Sequence, residues 1–425
     1  MAVGSAAIGG TPWLCAIAGI WAQAGSALLQ IGPLARGKQS IMHRQDLHNA
    51  LKMLEEQGLR RRRRTLESPQ GAHVLVDGKP YIAFASNDYL GLAGHQELIE
   101  ATQKAVLEWG VGGGASHLVS GHFGAHERLE AALAGFVGQE DALLFSNGYM
   151  ANLGVVTALV GRGDAIFADK LNHASLNDAC VLSRAEFRRF PHNDMDALAR
   201  QLETTPAKTK LIVADAVYSM DGDVAPIHEL VALADRYDAW LLLDDAHGFG
   251  VLGPHGRGTL LAFEVSSPRV IYMATLGKAA GVSGAFVAGS AELIEWLVQR
   301  ARTYIYTTSQ PPMLAATLLK SLELIERDDW RRERLQASIS QLKAGLAGLK
   351  WRLLPSETAI QPLIIGDNGD ALRVTEGLRD LGLWVPAIRP PTVAPGTARL
   401  RISVSAAHVP DDIDKLCVAL QQLAR

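Results

Sequence analysis

Six short runs of the chain, 142–145, 165–168, 211–214, 240–243, 270–273 and 285–288, are apolar at every position rather than at alternate ones. A strand with one wet face alternates, so unbroken apolar runs predict strands covered on both faces, as in a parallel sheet. The stretches 94–108, 124–136, 148–160, 194–203 and 227–237 carry the helical spacing of apolar residues. Strand and helix in alternation predict an α/β fold with a mostly parallel central sheet. Upstream, 45–58 reads as a helix and 74–84 as two short strands about the turn Asp77-Gly78. After Pro311-Pro312 the pattern predicts one long helix to about residue 348. A smaller α+β lobe follows, with strands near 350–365, 384–388 and 399–404 and helices at 370–381 and 411–423. The expected division is an N-terminal helix with short strands over 42–86, a large domain over 87–326 and a small C-terminal domain over 327–425.

At 425 residues and 48% hydrophobic, the chain can bury a core of more than one lobe. Its net charge of −3 supplies no global field toward nucleic acid or an anionic membrane. Cys15, Cys180 and Cys417 are scattered and odd in number, which predicts neither a disulfide framework nor a zinc site and fits a reducing cytoplasm. No charged side chain precedes Arg36, and 13–21 is apolar with small residues mixed in. That stretch lacks the basic start of a signal peptide and is too short and broken to span a membrane. Residues 1–41 are expected to be a disordered or mis-assigned leader, with Met42 as the alternative start.

Candidate chemistry gathers at the strand ends. Asp244-Asp245-Ala246-His247 closes the run 240–243, and Lys278 follows in Thr275-Leu276-Gly277-Lys278-Ala279-Ala280-Gly281. Open α/β sheets bind ligands at their carboxyl edge, where a carboxylate ending a buried strand would sit. Such a carboxylate, with a lysine on a glycine-flanked loop, matches the needs of pyridoxal 5′-phosphate. That cofactor is carried by a lysine as a Schiff base, and an acid keeps its ring nitrogen protonated. Each residue alone has an ordinary reading: Asp244 as a helix cap, Lys278 as a solvated side chain, His247 as a structural histidine. Together they favour the cofactor. The role requires Lys278 to titrate below its ordinary value of about 10.4, through burial or a neighbouring cation.

Ser146-Asn147-Gly148-Tyr149 joins the run 142–145 to an apolar helix, and free amides at a helix start suit a phosphate. Gly148 and Tyr149 are the candidate donors and Thr275 a candidate hydroxyl, although a plain capped helix fits the segment equally well. His173 could stack on the ring, and Ser219, on a turn after a strand, could reach it.

Three other signals are weaker. Gly110-Val111-Gly112-Gly113-Gly114-Ala115 matches a dinucleotide-binding fingerprint, but a helical stretch precedes it where a strand is required. His122 and His126 have zinc-like spacing without the glutamate that a metalloprotease needs, so no metal is expected. The run Arg60 to Arg64 could contact nucleic acid, but in an acidic chain it reads as a solvated or anion-facing stretch.

Beyond these residues, the chain resembles the α-oxoamine synthases, pyridoxal-phosphate enzymes of fold type I. The resemblance runs from about Met42 to the C-terminus. Ser86-Asn87-Asp88-Tyr89-Leu90-Gly91-Leu92, Val119-Ser120-Gly121-His122, the Asp244–His247 tetrad, Thr275 to Lys278 and Tyr306-Thr307-Thr308-Ser309-Gln310-Pro311-Pro312 carry it. Ala359-Ile360-Gln361-Pro362-Leu363-Ile364 and Ala387-Ile388-Arg389-Pro390-Pro391-Thr392-Val393 look like the alanine-using branch that serves biotin biosynthesis. Glycine-using relatives such as glycine C-acetyltransferase are the alternative.

The resemblance implies that Lys278 carries the cofactor, Asp244 partners the ring nitrogen, and His173 stacks on the ring. It places His247 and Ser219 near the phenolic oxygen, and Gly148, Tyr149 and Thr275 at the phosphate. Thr307 and Thr308 would reach the phosphate across a homodimer interface. Arg401 would grip the amino-acid carboxylate, with Arg61 and Thr392 touching substrate. The implied reaction is a decarboxylative condensation of L-alanine with a pimeloyl thioester carried on CoA or acyl carrier protein.

Overall fold

The computed structural model describes residues 44–425, so the expected leader and the alternative start at Met42 lie outside the described residues. The chain divides into two units, with the boundary after Arg61. In the first, the helix Arg44–Glu56 sets Leu47, Leu51 and Leu54 at helical spacing, all exposed. Arg60 pairs with Glu55 at 2.9 Å.

The second unit opens with a hairpin of β1 (His73–Val76) and β2 (Lys79–Ala83). Its turn residues Asp77 and Gly78 take φ of 48° and 75°, the positive values that a tight hairpin demands. The central sheet then forms from β3 (Asp141–Phe145), β4 (Ala165–Asp169), β5 (Glu186–Phe190), β6 (Lys210–Asp215), β7 (Trp240–Asp244), β8 (Val270–Thr275) and β9 (Ala285–Gly289). Its order is β3-β9-β8-β7-β6-β4-β5, parallel except where β9 meets β3 and β8. Successive side chains enter opposite cores. Phe167, Ile212, Leu241, Leu243 and Tyr272 pack on one face, and Ile166, Leu211, Val213, Leu242 and Ile271 on the other. This double burial is why those strands are apolar at every position.

β10 (Arg352–Leu353), β11 (Ile360–Gly366), β12 (Leu383–Trp384), β13 (Ala387–Ile388) and β14 (Ala398–Ser403) complete the strands. β12 adds to the hairpin, and the others form an antiparallel sheet ordered β10-β11-β14-β13. Among the described residues no helix is long and apolar enough to cross a membrane.

Two expectations change. The single helix after Pro312 is two, Pro312–Arg327 and Asp329–Gly345. Asp328 leaves helical geometry between them (φ −98°, ψ 60°), and its carboxylate accepts Arg327 Nε at 2.8 Å and Arg331 Nε at 3.2 Å. Strand β5 was not expected. It is the sheet's edge, and its Glu186 and Arg189 face solvent, so it lacks an apolar run.

Candidate active site

β6 and β7 run in parallel register and both end on a carboxylate, with Asp215 opposite Asp244. Both are buried. Asp244 Oδ2 accepts Asn152 Nδ2 at 2.8 Å, and Oδ1 accepts the Ala246 amide at 3.0 Å. Asn152 stands on the helix Gly148–Leu159 and also donates to Ser175 Oγ at 2.9 Å, which lies 2.7 Å from His173 Nδ1. A chain of contacts therefore runs from Asp244 through Asn152 and Ser175 to His173. The His173 amide is tied to Asp215 Oδ2 at 2.8 Å. Burial, then the facing Asp244 charge, pushes the Asp215 carboxyl well above the ordinary carboxylate range. Asp245 points elsewhere. It is fully buried, accepts Thr259 N (2.8 Å) and Tyr272 OH (2.7 Å), and burial lifts it to about 7.

Lys278 follows β8 on a loop closed by Gly281 N–H to Lys278 C=O at 2.8 Å. Gly281 has φ +70°, and a Cβ there would lie 2.6 Å from Ala93 N, so only glycine fits. Burial draws the Lys278 ammonium below its ordinary pKa; Asp244 and Asp215 oppose the shift, and the Arg401 cation adds to it. His247 Nδ1 lies 2.7 Å from the Tyr89 hydroxyl. Burial, then the Lys278 and Arg401 charges, hold this ring far below the usual histidine range, so it stays neutral. Burial also lowers His173.

Arg401, on β14, is buried and donates to Ser219 O (2.6 Å), Ser403 Oγ (2.8 Å), Asn87 Oδ1 (3.2 Å) and Tyr89 OH (3.4 Å). Each acceptor is neutral. Two residues earlier, Arg399 pairs with Asp221 at 2.6 Å, whereas among the described residues Arg401 has no carboxylate partner.

At the start of the helix Gly148–Leu159, Asn147 Oδ1 accepts the Met150 amide at 3.0 Å. Among the described residues no acceptor takes the Gly148 and Tyr149 amides. A Cβ on Gly148 would meet Thr275 Cγ2 at 2.7 Å, so a side chain there would displace Thr275. The Asp178 carboxylate accepts the Tyr149 hydroxyl and pushes that phenol up to about 12. Open amides, a buried carboxylate and a lysine of lowered pKa suit a phosphorylated, ring-nitrogen cofactor.

The fold thus gathers Asp244, His173, Lys278, His247, Ser219 and Arg401, with Gly148 and Tyr149 at the start of the helix Gly148–Leu159 and Thr275 against Gly148. The remaining candidates are on other segments. Thr307 and Thr308 lie on the surface loop before the helix Pro312–Arg327, Thr392 on an exposed loop after β13, and Arg61 ends the first unit. Sequence reasoning missed Asp215, Asn152, Asn87 and Tyr89. Asp215 ends an apolar run as Asp244 does, and the same rule would have found it.

Two of the weaker signals, the glycine-rich loop and the histidine cluster, have other readings in the structure. The Gly110 loop follows the helix Gln96–Trp109 rather than a strand. His117, His122 and His126 cluster, but His126 Nδ1 accepts the Phe123 amide (3.1 Å) and Nε2 meets the Gln310 carbonyl (2.8 Å). That leaves His126 no lone pair for a metal.

Residues 79–420 match the family described as aminotransferase class I and II. The chain is 63% identical to the 8-amino-7-oxononanoate synthase of Herminiimonas arsenicoxydans, over 89% of its own length and 99% of the relative's. It is 61% identical to the enzyme of that name from Nitrosomonas europaea, over 89% and 99%. Among solved structures, serine palmitoyltransferase from S. paucimobilis with bound PLP is similar at a TM-score of 0.84 and 33% identity, covering 89% of this chain and 96% of that one.

Proposed function

This chain belongs to the class I and II aminotransferase family, among fold type I enzymes that use pyridoxal 5′-phosphate, and from that membership we propose that it makes 8-amino-7-oxononanoate for biotin biosynthesis. L-Alanine and a pimeloyl thioester condense, a carbon–carbon bond forms at the alanine α-carbon, CO2 leaves, and the carrier thiol is released. The observation that carries the reading is Arg401, a buried cation whose partners among the described residues are all neutral, beside Lys278 and Asp244. Such a charge calls for an anion from outside the chain, and an amino-acid carboxylate fits its forked donors. Glycine-using synthases are not favoured as the alternative, given relatives of 58–63% identity named for the alanine enzyme.

When bound, pyridoxal 5′-phosphate supplies an electron sink for the charge left at the amino acid's α-carbon. Lys278 would hold it, Asp244 would pair with its ring nitrogen, His173 would stack on the ring, and His247 and Ser219 would lie on the phenolic-oxygen side. The Gly148 and Tyr149 amides with the Thr275 hydroxyl would take its phosphate. Lys278 is also the base for the α-proton, because burial frees its amine at lower pH than water allows. Arg401 fixes the substrate carboxylate, while Arg61 and Thr392 meet the acyl donor.

The enzyme works as a homodimer, the partner subunit's Thr307 and Thr308 completing the phosphate site. The exposed apolar side chains Leu118, Val119 and Tyr306 support such an interface. Residues 87–326 make the large cofactor domain and 327–425 the small one. Buried, unpaired Cys180 and Cys417 fit a cytoplasmic enzyme.

Assayed with pimeloyl-CoA, alanine is expected to give product and CO2; equal turnover with glycine would overturn the reading. Arg401→Gln is expected to lower kcat/KM for alanine by about 2–5 kcal/mol, the cost of truncating one partner of a buried charge pair. Gly148→Ala is expected to weaken the cofactor by about 1–3 kcal/mol through overpacking against Thr275, read by spectral titration with pyridoxal phosphate.

A further inference from the structure

A second ionic cluster sits at the same edge of the sheet. Asp169 ends β4 and is fully buried, His192 follows β5, and Asp223 closes the loop that leaves β6. His192 Nδ1 lies 3.1 Å from Asp169 Oδ1, and its Nε2 lies 2.8 Å from Asp223 Oδ2. Asn193 joins the same two carboxylates, its amide to Asp169 Oδ2 at 2.8 Å and its Nδ2 to Asp223 Oδ2 at 3.0 Å. With a carboxylate at each ring nitrogen, His192 is an imidazolium donating twice. Burial opposes that charge, and the two aspartates outweigh it, raising the ring to about 10. The His192 and Tyr218 rings pack at right angles, their centroids 4.4 Å apart.

Each aspartate also anchors a loop that presents a site residue. Asp169 Oδ1 accepts the Leu171 amide at 2.7 Å, inside the turn that delivers His173. Asp223 O accepts the Tyr218 amide at 3.0 Å and closes the 218–223 loop, whose Ser219 carbonyl takes Arg401 Nε at 2.6 Å. The loop is also held by Gly222 N–H to Tyr218 O at 2.8 Å, by the Tyr218 hydroxyl to Asp169, by Ser356 and Thr358 to Gly222 O, and by Arg399 to Asp221.

We propose that His192 is a positioning residue: held between Asp169 and Asp223, it fixes the loop that presents His173 against the loop whose Ser219 carbonyl aims Arg401, and so sets the grip on the substrate carboxylate. Without its charge the two aspartates repel across the gap. Asp223, the more exposed of the pair, is then the one that shifts, and its carbonyl contact to the Tyr218 amide carries the shift to the Ser219 carbonyl that Arg401 Nε grips.

The inference rests on the reading of Arg401 as the carboxylate anchor, so His192→Gln, Asp223→Asn and Arg401→Gln are measured together as holoenzymes. His192→Gln and Asp223→Asn are expected to raise KM for alanine about tenfold, the equilibrium effect of one weakened charge-assisted hydrogen bond. KM for pimeloyl-CoA stays within about twofold, because the clip does not touch the acyl donor. An unchanged alanine KM in folded His192→Gln, or equal rises for both substrates, overturns the proposal. If His192→Gln does not fold, the isosteric Asp223→Asn takes its place, and an unchanged alanine KM there overturns the proposal equally. An Arg401→Gln enzyme with wild-type alanine KM would overturn both this inference and the reading beneath it.

Discussion

Lys278→Ala is expected to lower turnover by roughly 10⁴-fold or more, because one amine serves both as cofactor anchor and as base. The amine is placed for both tasks. Burial depresses its pKa, Asp244 and Asp215 moderate the shift, and the Gly281 turn allows the loop to pack against the Leu92–Ala93 backbone. Alanine at 278 removes the amine and leaves that turn intact, so the variant should fold and melt close to wild type. The measurement is CO2 release under saturating alanine and pimeloyl-CoA, beside a thermal melt. A folded Lys278→Ala enzyme with more than a few per cent of wild-type turnover would contradict the assignment.

The second large effect is expected at Asp244. Asp244→Asn keeps the shape and removes the charge, and kcat should fall by about 10²–10³-fold, the usual loss for one preorganised electrostatic group. The amide oxygen can still accept Asn152 Nδ2, but its NH2 then faces the Ala246 amide, donor against donor, where Asp244 Oδ1 now accepts at 3.0 Å. The kcat ratio of Asp244→Asn to wild type, on protein loaded to equal cofactor content, is the direct reading. Near-equal kcat values would mean that the ring nitrogen does not depend on this carboxylate.

Much of this arrangement was legible in the chain. The strands β3, β4, β6, β7, β8 and β9 were readable because each side chain enters one of two cores, so nothing interrupts the apolar run. Asp244 and Lys278 were readable because a strand end and a glycine-flanked loop have fixed positions in such a sheet. The rest depended on contacts that local pattern does not encode. β5 is hidden by the charged side chains of an edge strand, and the break at Asp328 by arginines that continue a helical pattern while bonding to its carboxylate. Asn152 looks like any helical asparagine until its amide is seen between Asp244 and Ser175. Arg399 and Arg401 alternate along one strand, and only their partners distinguish the paired cation from the unpaired one.

The chemistry turns on which amine holds the cofactor. Borohydride reduction of the holoenzyme, followed by proteolysis and peptide mapping, reads that attachment directly. The predicted result is one pyridoxyl label, on the peptide containing Lys278. A label on another lysine, or none in protein that retains its activity, would contradict it.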